Sequence, residues 1–172
     1  MRTLLTLLFI IATLLLFGQT AQNSFSLIDK RVLTIQSNSV DSLSNMLCSP
    51  YKTQIEKVRS IFKWVAENIE YDVAGYHNTR GVYSGLFRPN ISTIDSVVQK
   101  DYNDRIVEKV LKEKRAICDG YARLFKTLCD KANIQSVIIS GYIRWHSDPI
   151  GVVTDRTHAW NAVFLNNKWQ LL

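Results

Sequence analysis

The sequence predicts an α+β fold in which several helices come first and a small antiparallel sheet follows. As far as Asn133, apolar residues recur at helical spacing, and after it short β-branched or alternating runs are separated by turn residues. Helices followed by strands, rather than strands alternating with helices, are typical of the α+β class. The composition agrees, because 47% hydrophobic and 21% charged residues in a chain of 172 suit a packed core and argue against disorder.

Residues 1–21 have the pattern of a secretory signal peptide. A basic start at Met1-Arg2 precedes an uncharged apolar run from Thr3 to Phe17, and small residues follow at Gly18 to Ala21. The run is shorter than the roughly 20 residues that span a bilayer, which favours cleavage over the alternative of an uncleaved anchor. We therefore expect a secreted or periplasmic protein with no stable membrane span after signal cleavage.

The remainder is expected to hold one domain, residues 39–172, preceded by an N-terminal extension, residues 22–38. The extension is expected to be peripheral, with one short extended stretch at Val32–Ile35. Apolar residues at helical spacing predict a short helix from Ser39 to Cys48. Ser49-Pro50 ends it, because the residue before a proline is pushed away from helical angles.

The clearest helix begins at Thr53, whose side chain is predicted to form a capping box with Glu56. Its inward stripe recurs at helical spacing and consists of Ile55, Val58, Ile61, Phe62, Val65 and Ile69. From Tyr71 to Asn90, glycines, a proline and polar residues predict a long loop. Such loops in compact domains are usually functional or mobile.

Two more helices and three strands complete the predicted domain. One helix runs from Asn103 to Lys114, and the other begins near Cys118 and stops at Asn133, a residue that tolerates left-handed angles. The predicted strands are Val137–Ile139, with Tyr142–Trp145 as a candidate extension, His158–Leu165 and Lys168–Leu172. Asn166-Asn167 supplies the turn of the last hairpin.

Cys118 is a candidate nucleophile because it lies at the first turn of a predicted helix. Unpaired backbone N–H groups and the positive end of the helix dipole favour a thiolate there. A buried structural cysteine explains the same stretch equally well, since free cysteines are often core residues. Cys129 falls on the same helical face and is expected to be a core residue. In an oxidising compartment Cys48 and Cys129 could form a disulfide, which the sequence does not decide.

His158 is the candidate general base for that thiol, because it opens a predicted strand and need only reach the cysteine in space. Taken alone, a histidine at a strand entrance is more often a half-buried structural residue. His77 and His146 lie in predicted loops without the spacing of metal ligands, so a zinc site is not expected. The acyl-transfer chemistry of a Cys-His pair implies no metal and no other cofactor.

An aromatic group in and before the long loop has two interpretations. Its members are Tyr71, Tyr76, Tyr83 and Phe87. They line an acyl-donor groove or cover the core beneath the loop, and the base rate for buried aromatic residues favours the second.

Three segments of the chain resemble motifs of the transglutaminase-like superfamily, whose core is papain-like. Ala116 to Ala122 reads AICDGYA and resembles the family's cysteine motif, His158 to Asn161 reads HAWN, and Val58 to Asp72 resembles the helix before the site. The resemblance covers roughly Val40 to Leu172 and is closest to the branch typified by kyphoscoliosis peptidase. It implies a papain-like core, with the cysteine helix packed on the sheet, Cys118 as nucleophile and His158 as base.

The third catalytic residue of the family is an aspartate that orients the imidazole. The family pattern places it four residues after a tryptophan, which from Trp169 is position 173, one beyond Leu172. Asp119 and Asp155 do not lie where the pattern places this acid. We therefore expect a domain truncated at its C-terminus, as a fragment of a longer product or, less favoured, as a degenerate domain.

The expected function is an extracytoplasmic thiol protein that transfers acyl groups or hydrolyses peptide or amide bonds. Its partners would be protein or peptide substrates, with cell-wall association as one option. The alternative is a non-catalytic module that binds or scaffolds proteins, motivated by the missing aspartate. No nucleic acid is expected despite the formal charge of +6, because the basic residues near Lys112 are interleaved with acids, as on a solvated helix face.

Overall fold

The computed structural model describes residues 25–75, 96–143, 151 and 157–172. The helices are α1 (residues 25–32), α2 (Val40–Cys48), α3 (Gln54–Asn68), α4 (Ser96–Glu113) and α5 (Cys118–Lys131). The strands are β1 (Glu70–Tyr71), β2 (Arg115–Ala116), β3 (Ser136–Tyr142), β4 (Thr157–Leu165) and β5 (Lys168–Leu171). Helices precede a small sheet, which confirms the predicted α+β class.

The sheet has three antiparallel strands in the order β3-β4-β5, so β4 is central. The β4–β5 hairpin turns at Asn166 and Asn167, whose φ angles of 52° and 60° are left-handed. Asparagine tolerates this conformation, and two such residues match the twist of a tight hairpin. The predicted turn is confirmed. A separate two-residue parallel ladder joins β1 to β2.

Helix α5 packs on one face of β4, as the resemblance implied. Because side chains alternate along a strand, every second residue of β4 faces the helix. Ala159 packs against Cys118 and Ala122 of α5, and the side chain of Asn161 donates a 3.0 Å hydrogen bond to the Ala122 carbonyl. Val163 continues this face into the main core. The sheet thus positions the helix that carries the candidate nucleophile.

The main core lies among the five helices α1 to α5 and the far end of β4. Its largest fully buried side chain is Trp64, whose indole N–H donates to the Ile35 carbonyl at 2.9 Å. Leu128 of α5 is fully buried, and its carbonyl accepts a 3.2 Å hydrogen bond from the Ser44 hydroxyl of α2. Both polar groups are paired where they are buried, which avoids the cost of an unsatisfied donor.

Local signals at the helix ends are confirmed. Thr53 and Glu56 form the predicted capping box at the start of α3, and Ser39 caps α2. Asn133 has a φ of 56° beyond the end of α5, the left-handed stop that was predicted. These devices depend only on neighbouring residues, so tertiary packing does not override them.

The expected extended stretch at Val32–Ile35 is wrong, as is the peripheral role of its surroundings. Residues 25–32 form α1, and Ile28, Val32 and Ile35 are buried in the main core. Val32 follows Ile28 by four residues and Ile35 follows Val32 by three, spacings that place side chains on the same side of a helix. Packing against α3 outweighs the weak helix propensity of β-branched residues.

Other boundaries also differ from the predictions. Helix α4 begins at Ser96, before the expected Asn103. Ile55 and Phe62, assigned to the inward stripe of α3, are 43% and 42% exposed. Most of the predicted loop between Tyr71 and Asn90 lies outside the described residues, as does the proposed signal peptide. Within the described ranges, no helix is both long and apolar enough to cross a membrane.

Leu128→Ala should lower the free energy of unfolding by about 2–5 kcal/mol, because it leaves a cavity in the main core. Leu27→Ala is the matched control: Leu27 is 68% exposed on α1, and its loss should cost no more than about 0.5 kcal/mol. Urea denaturation of the two variants checks this, and equal losses would contradict the assignment of the core.

Candidate active site

Cys118 is the first residue of α5. Ile117 occupies the N-cap position in an extended conformation. Its side chain cannot accept a hydrogen bond, so it does not cap the first backbone N–H groups of the helix. The chain enters the helix from β2, where Tyr71 pairs with Ala116 and the Asp72 N–H donates to the Ala116 carbonyl at 2.9 Å. The thiol is therefore held at the position that the sequence predicted.

Burial raises the pKa of the Cys118 thiol above its ordinary value of 9.0. The backbone N–H groups of Ala159, Asp119 and Cys118 hydrogen-bond the sulfur and act in the opposite direction, while the Asp119 charge adds to the rise. The side chain is only 7% exposed, so desolvation of a thiolate outweighs the helix N-terminus. The N–H groups at the helix start act in the expected direction, but burial outweighs them, so the net pKa of Cys118 is raised.

His158 is the second residue of β4 and lies opposite Gly141 of β3. Its ring packs edge-on against Trp160, with the ring centroids 4.7 Å apart. A Cβ at position 141 would lie 3.0 Å from the Trp160 ring, so a glycine lets the indole cover this part of the sheet. Burial lowers the pKa of the imidazole below 6.5, so the neutral form predominates at neutral pH.

Both candidate residues line one cavity of about 290 Å³. Its other walls come from α3, α5, β4 and the segment around β1, and consist of Phe62, Val65, Ala66, Tyr71, Tyr121, Ala122, Phe125, Ala159, Trp160, Asn161 and Leu172. Tyr71 thus faces the cavity, while the other three members of the predicted aromatic group lie outside the described residues. No hydrogen bond joins the thiol to the imidazole in the described part of the chain.

Asp119, the next residue of the cysteine motif, is buried and held by an ion pair. Its carboxylate accepts a 2.8 Å hydrogen bond from the Arg123 guanidinium, one helical turn later. Arg123 also donates to the Asn103 side chain at 3.4 Å and lies over the Tyr102 ring, 5.2 Å from its centroid. Helix α4 is thereby tied to the first turn of α5, and the Asp119 carboxylate is engaged by Arg123.

Sequence reasoning did not single out Arg123. The i,i+4 spacing from Asp119 was the available signal, but this spacing is common on exposed helix faces. Only the packing of α4 shows that this pair is buried. Among the described residues, no group of three or more His, Cys, Asp or Glu side chains is placed to hold a metal ion.

Arg123→Ala should destabilise the fold by about 3–5 kcal/mol, because it leaves the Asp119 carboxylate buried without a partner. Lys126→Ala is the matched control, since Lys126 pairs with Asp130 at the same spacing on the same helix but in a more exposed position. Its loss should cost at most about 1 kcal/mol. Chemical denaturation measures both values, and similar small losses would show that the Asp119–Arg123 pair is not structurally important.

The ultraviolet absorbance of the Cys118 thiolate, taken as the difference between wild type and Cys118→Ala, should rise with a midpoint above pH 9.0, because burial raises the pKa of this thiol. Burial raises the pKa of Cys48 to about 11 and that of Cys129 to about 12, so those thiols ionise later. A thiolate signal already present at neutral pH, and lost in His158→Ala, would instead indicate a preformed thiolate–imidazolium pair.

Comparisons with known proteins identify the family and the fold. The family model of the Transglutaminase-like superfamily matches residues 41–172. Kyphoscoliosis peptidase from Homo sapiens is 29% identical over 141 residues, covering 78% of this chain and 18% of that protein. The chain thus spans about a fifth of the length of the curated relatives that it matches.

Two solved structures share the fold at 16% identity. The periplasmic domain of TgpA from Pseudomonas aeruginosa has a TM-score of 0.52, over 84% of this chain and 46% of that one. A candidate protease from Parabacteroides distasonis has a TM-score of 0.51, over 87% of this chain and 25% of that one. The family match covers well over half of the chain and includes the cysteine and histidine motifs, and the protein therefore belongs to the transglutaminase-like superfamily.

Proposed function

We propose that the protein is a thiol enzyme that transfers acyl groups from peptide or amide substrates to water or to an amine. Cys118 acts as the nucleophile and His158 as the general base. The observation that carries this proposal is that the cysteine and histidine of the two family motifs line one cavity. The word peptidase in the name of the human relative supports peptide substrates.

Burial raises the pKa of Cys118 and lowers the pKa of His158, which favours a resting pair in which both groups are neutral. His158 would take the proton from the Cys118 sulfur as that sulfur attacks the substrate carbonyl. The Cys118 backbone N–H is the natural donor to the developing oxyanion. His158 then returns the proton to the leaving amine, which departs as a neutral molecule and leaves a thioester. Water or a second amine attacks the thioester and regenerates the free thiol.

An orienting carboxylate would complete this pair. The Leu172 N–H donates to the Asn161 carbonyl at 2.9 Å, which continues the register that pairs Ala162 with Leu171. If a longer chain kept this register, its next residue would lie opposite Trp160, on the same face of β4 as His158 and diagonal to it. A longer product with an aspartate there would gain the orienting group, whose loss from a triad lowers turnover about 10⁴-fold.

We also propose that the mature protein acts in an extracytoplasmic space, secreted or periplasmic. The support is the apolar segment that precedes the domain, with its basic start and small-residue end. Association with the cell wall is the finer proposal, and the formal charge of +6 is compatible with an anionic surface.

A non-catalytic binding module is the second candidate function. Two observations favour it: the thiol and imidazole share no hydrogen bond in the described chain, and burial raises rather than lowers the pKa of the thiol. Such a module would keep the cavity as a binding site without turnover.

A p-nitrophenyl ester of an N-acetyl amino acid tests the first chemical step. Wild type should release one equivalent of p-nitrophenol in a burst, and mass spectrometry should find the acyl group on Cys118. Cys118→Ala should abolish the burst, and His158→Ala should slow it by about 10²–10⁴-fold. Lys126→Ala is the control, because Lys126 lies on the same helix as Cys118 but outside the described cavity lining, and it should leave the rate unchanged.

Absence of acylation at Cys118 in folded wild-type protein would support the binding module instead. Where the thioester does form, added hydroxylamine or a primary amine should divert it from hydrolysis, and the product ratio separates hydrolysis from transamidation.

A further inference from the structure

Among the described residues, the walls of the cavity beside Cys118 are mostly apolar. Helix α3 contributes Phe62 and Val65, helix α5 contributes Phe125, and Leu172 closes a third side. The charged side chains near the helix start, Asp119 and its partner, are not part of the lining. A ligand group that enters this space is therefore selected by shape and hydrophobicity rather than by charge.

The polar groups on these walls are largely engaged with the protein itself. The Tyr121 hydroxyl donates to the Ile69 carbonyl, and the Asn161 amide nitrogen donates to the Ala122 carbonyl. A polar or charged side chain placed here would lose its hydration without gaining these partners, which makes its burial unfavourable.

Large apolar side chains are exposed around the same cavity. Phe62 is 42% exposed, Tyr71 42% and Leu172 39%, and they come from three separate parts of the chain. Exposed apolar residues that converge on one concave site mark a binding surface more often than scattered ones do. The volume of about 290 Å³ lies at the small end of ligand pockets, so it suits one bulky side chain rather than a long segment.

We propose that the site acts on peptides whose residue on the acyl side of the reacting carbonyl carries a bulky apolar side chain, which fills this cavity. The position of the thiol favours this occupant: Cys118 lines the cavity, so a side chain next to the attacked carbonyl is the nearest substrate group that can enter it. The inference rests on the proposed function and adds the substrate class.

Peptidyl chloromethyl ketones test the proposal, because the Cys118 sulfur displaces chloride in one step and forms a stable thioether. The probes are N-acetyl derivatives of Phe, Leu, Gly and Lys, with iodoacetamide as a small reference reagent. The measured quantity is the second-order rate of Cys118 modification by mass spectrometry, divided by the iodoacetamide rate on the same protein. This ratio removes the intrinsic reactivity of the thiol.

The Phe and Leu probes should react at least about tenfold faster than the Gly and Lys probes, the scale on which apolar pockets discriminate. Phe62→Asp should remove most of this preference, measured as the ratio to the iodoacetamide rate on the same variant, so that any effect of the new charge on the thiol itself cancels. Ile55→Asp is the matched control, because Ile55 lies on the same helix with 43% exposure but outside the cavity lining. Ala66→Trp, at an exposed lining position, should slow the bulky probes without adding charge.

The outcomes separate the two proposals. One outcome is that all four probes modify Cys118 at equal rates, that these rates exceed the iodoacetamide rate, and that they fall in His158→Ala. This outcome would overturn the substrate class and leave the proposed function intact. A preference for the Gly probe would also overturn it, by showing that another segment fills the cavity. If no probe exceeds iodoacetamide and His158→Ala has no effect, the proposed function fails as well.

Discussion

The close contact between α5 and β4 determines where every other part of the site lies. Small side chains at Ala122 and Ala159 let the helix and strand approach, and Cys118 packs in the same cluster. Asn161 then bridges the two elements with a buried hydrogen bond to the Ala122 carbonyl. A larger residue at either alanine would separate helix from strand, and close packing of this kind tolerates little added volume. The thiol is consequently held beside the strand that carries His158.

The same contact controls the electrostatics of the site. Packing against β4 removes water from Cys118, so its pKa rises although three backbone N–H groups hydrogen-bond the sulfur. Burial also lowers the pKa of His158, so both groups rest in their neutral forms. A pair of this kind becomes reactive through proton transfer during attack on the substrate. In the proposed mechanism, reactivity would therefore depend on bound substrate and an orienting group rather than on a preformed thiolate.

Much of the fold followed from local patterns. The capping box at Thr53, the left-handed stop at Asn133 and the asparagine turn of the last hairpin were all predictable, because each depends on a few adjacent residues. Helix α1 was not, since its weak local propensity for a helix is overcome by the burial of Ile28 and Val32 in the core. Phe62 fits the periodicity of a core residue, yet it borders the cavity. Periodicity identifies a helical face but not what that face meets.

The sequence alone determined the superfamily, the order of helices and strands, and the position of Cys118 at a helix start, because motifs and periodicity are written in neighbouring residues. The tertiary structure decided the environment of those residues. It placed Cys118 and His158 on one cavity, buried the Asp119–Arg123 pair beneath α4, and made the thiol harder to ionise than the helix end alone implies. The physical reason is that desolvation and long-range packing depend on which elements meet in space, and no local pattern specifies that.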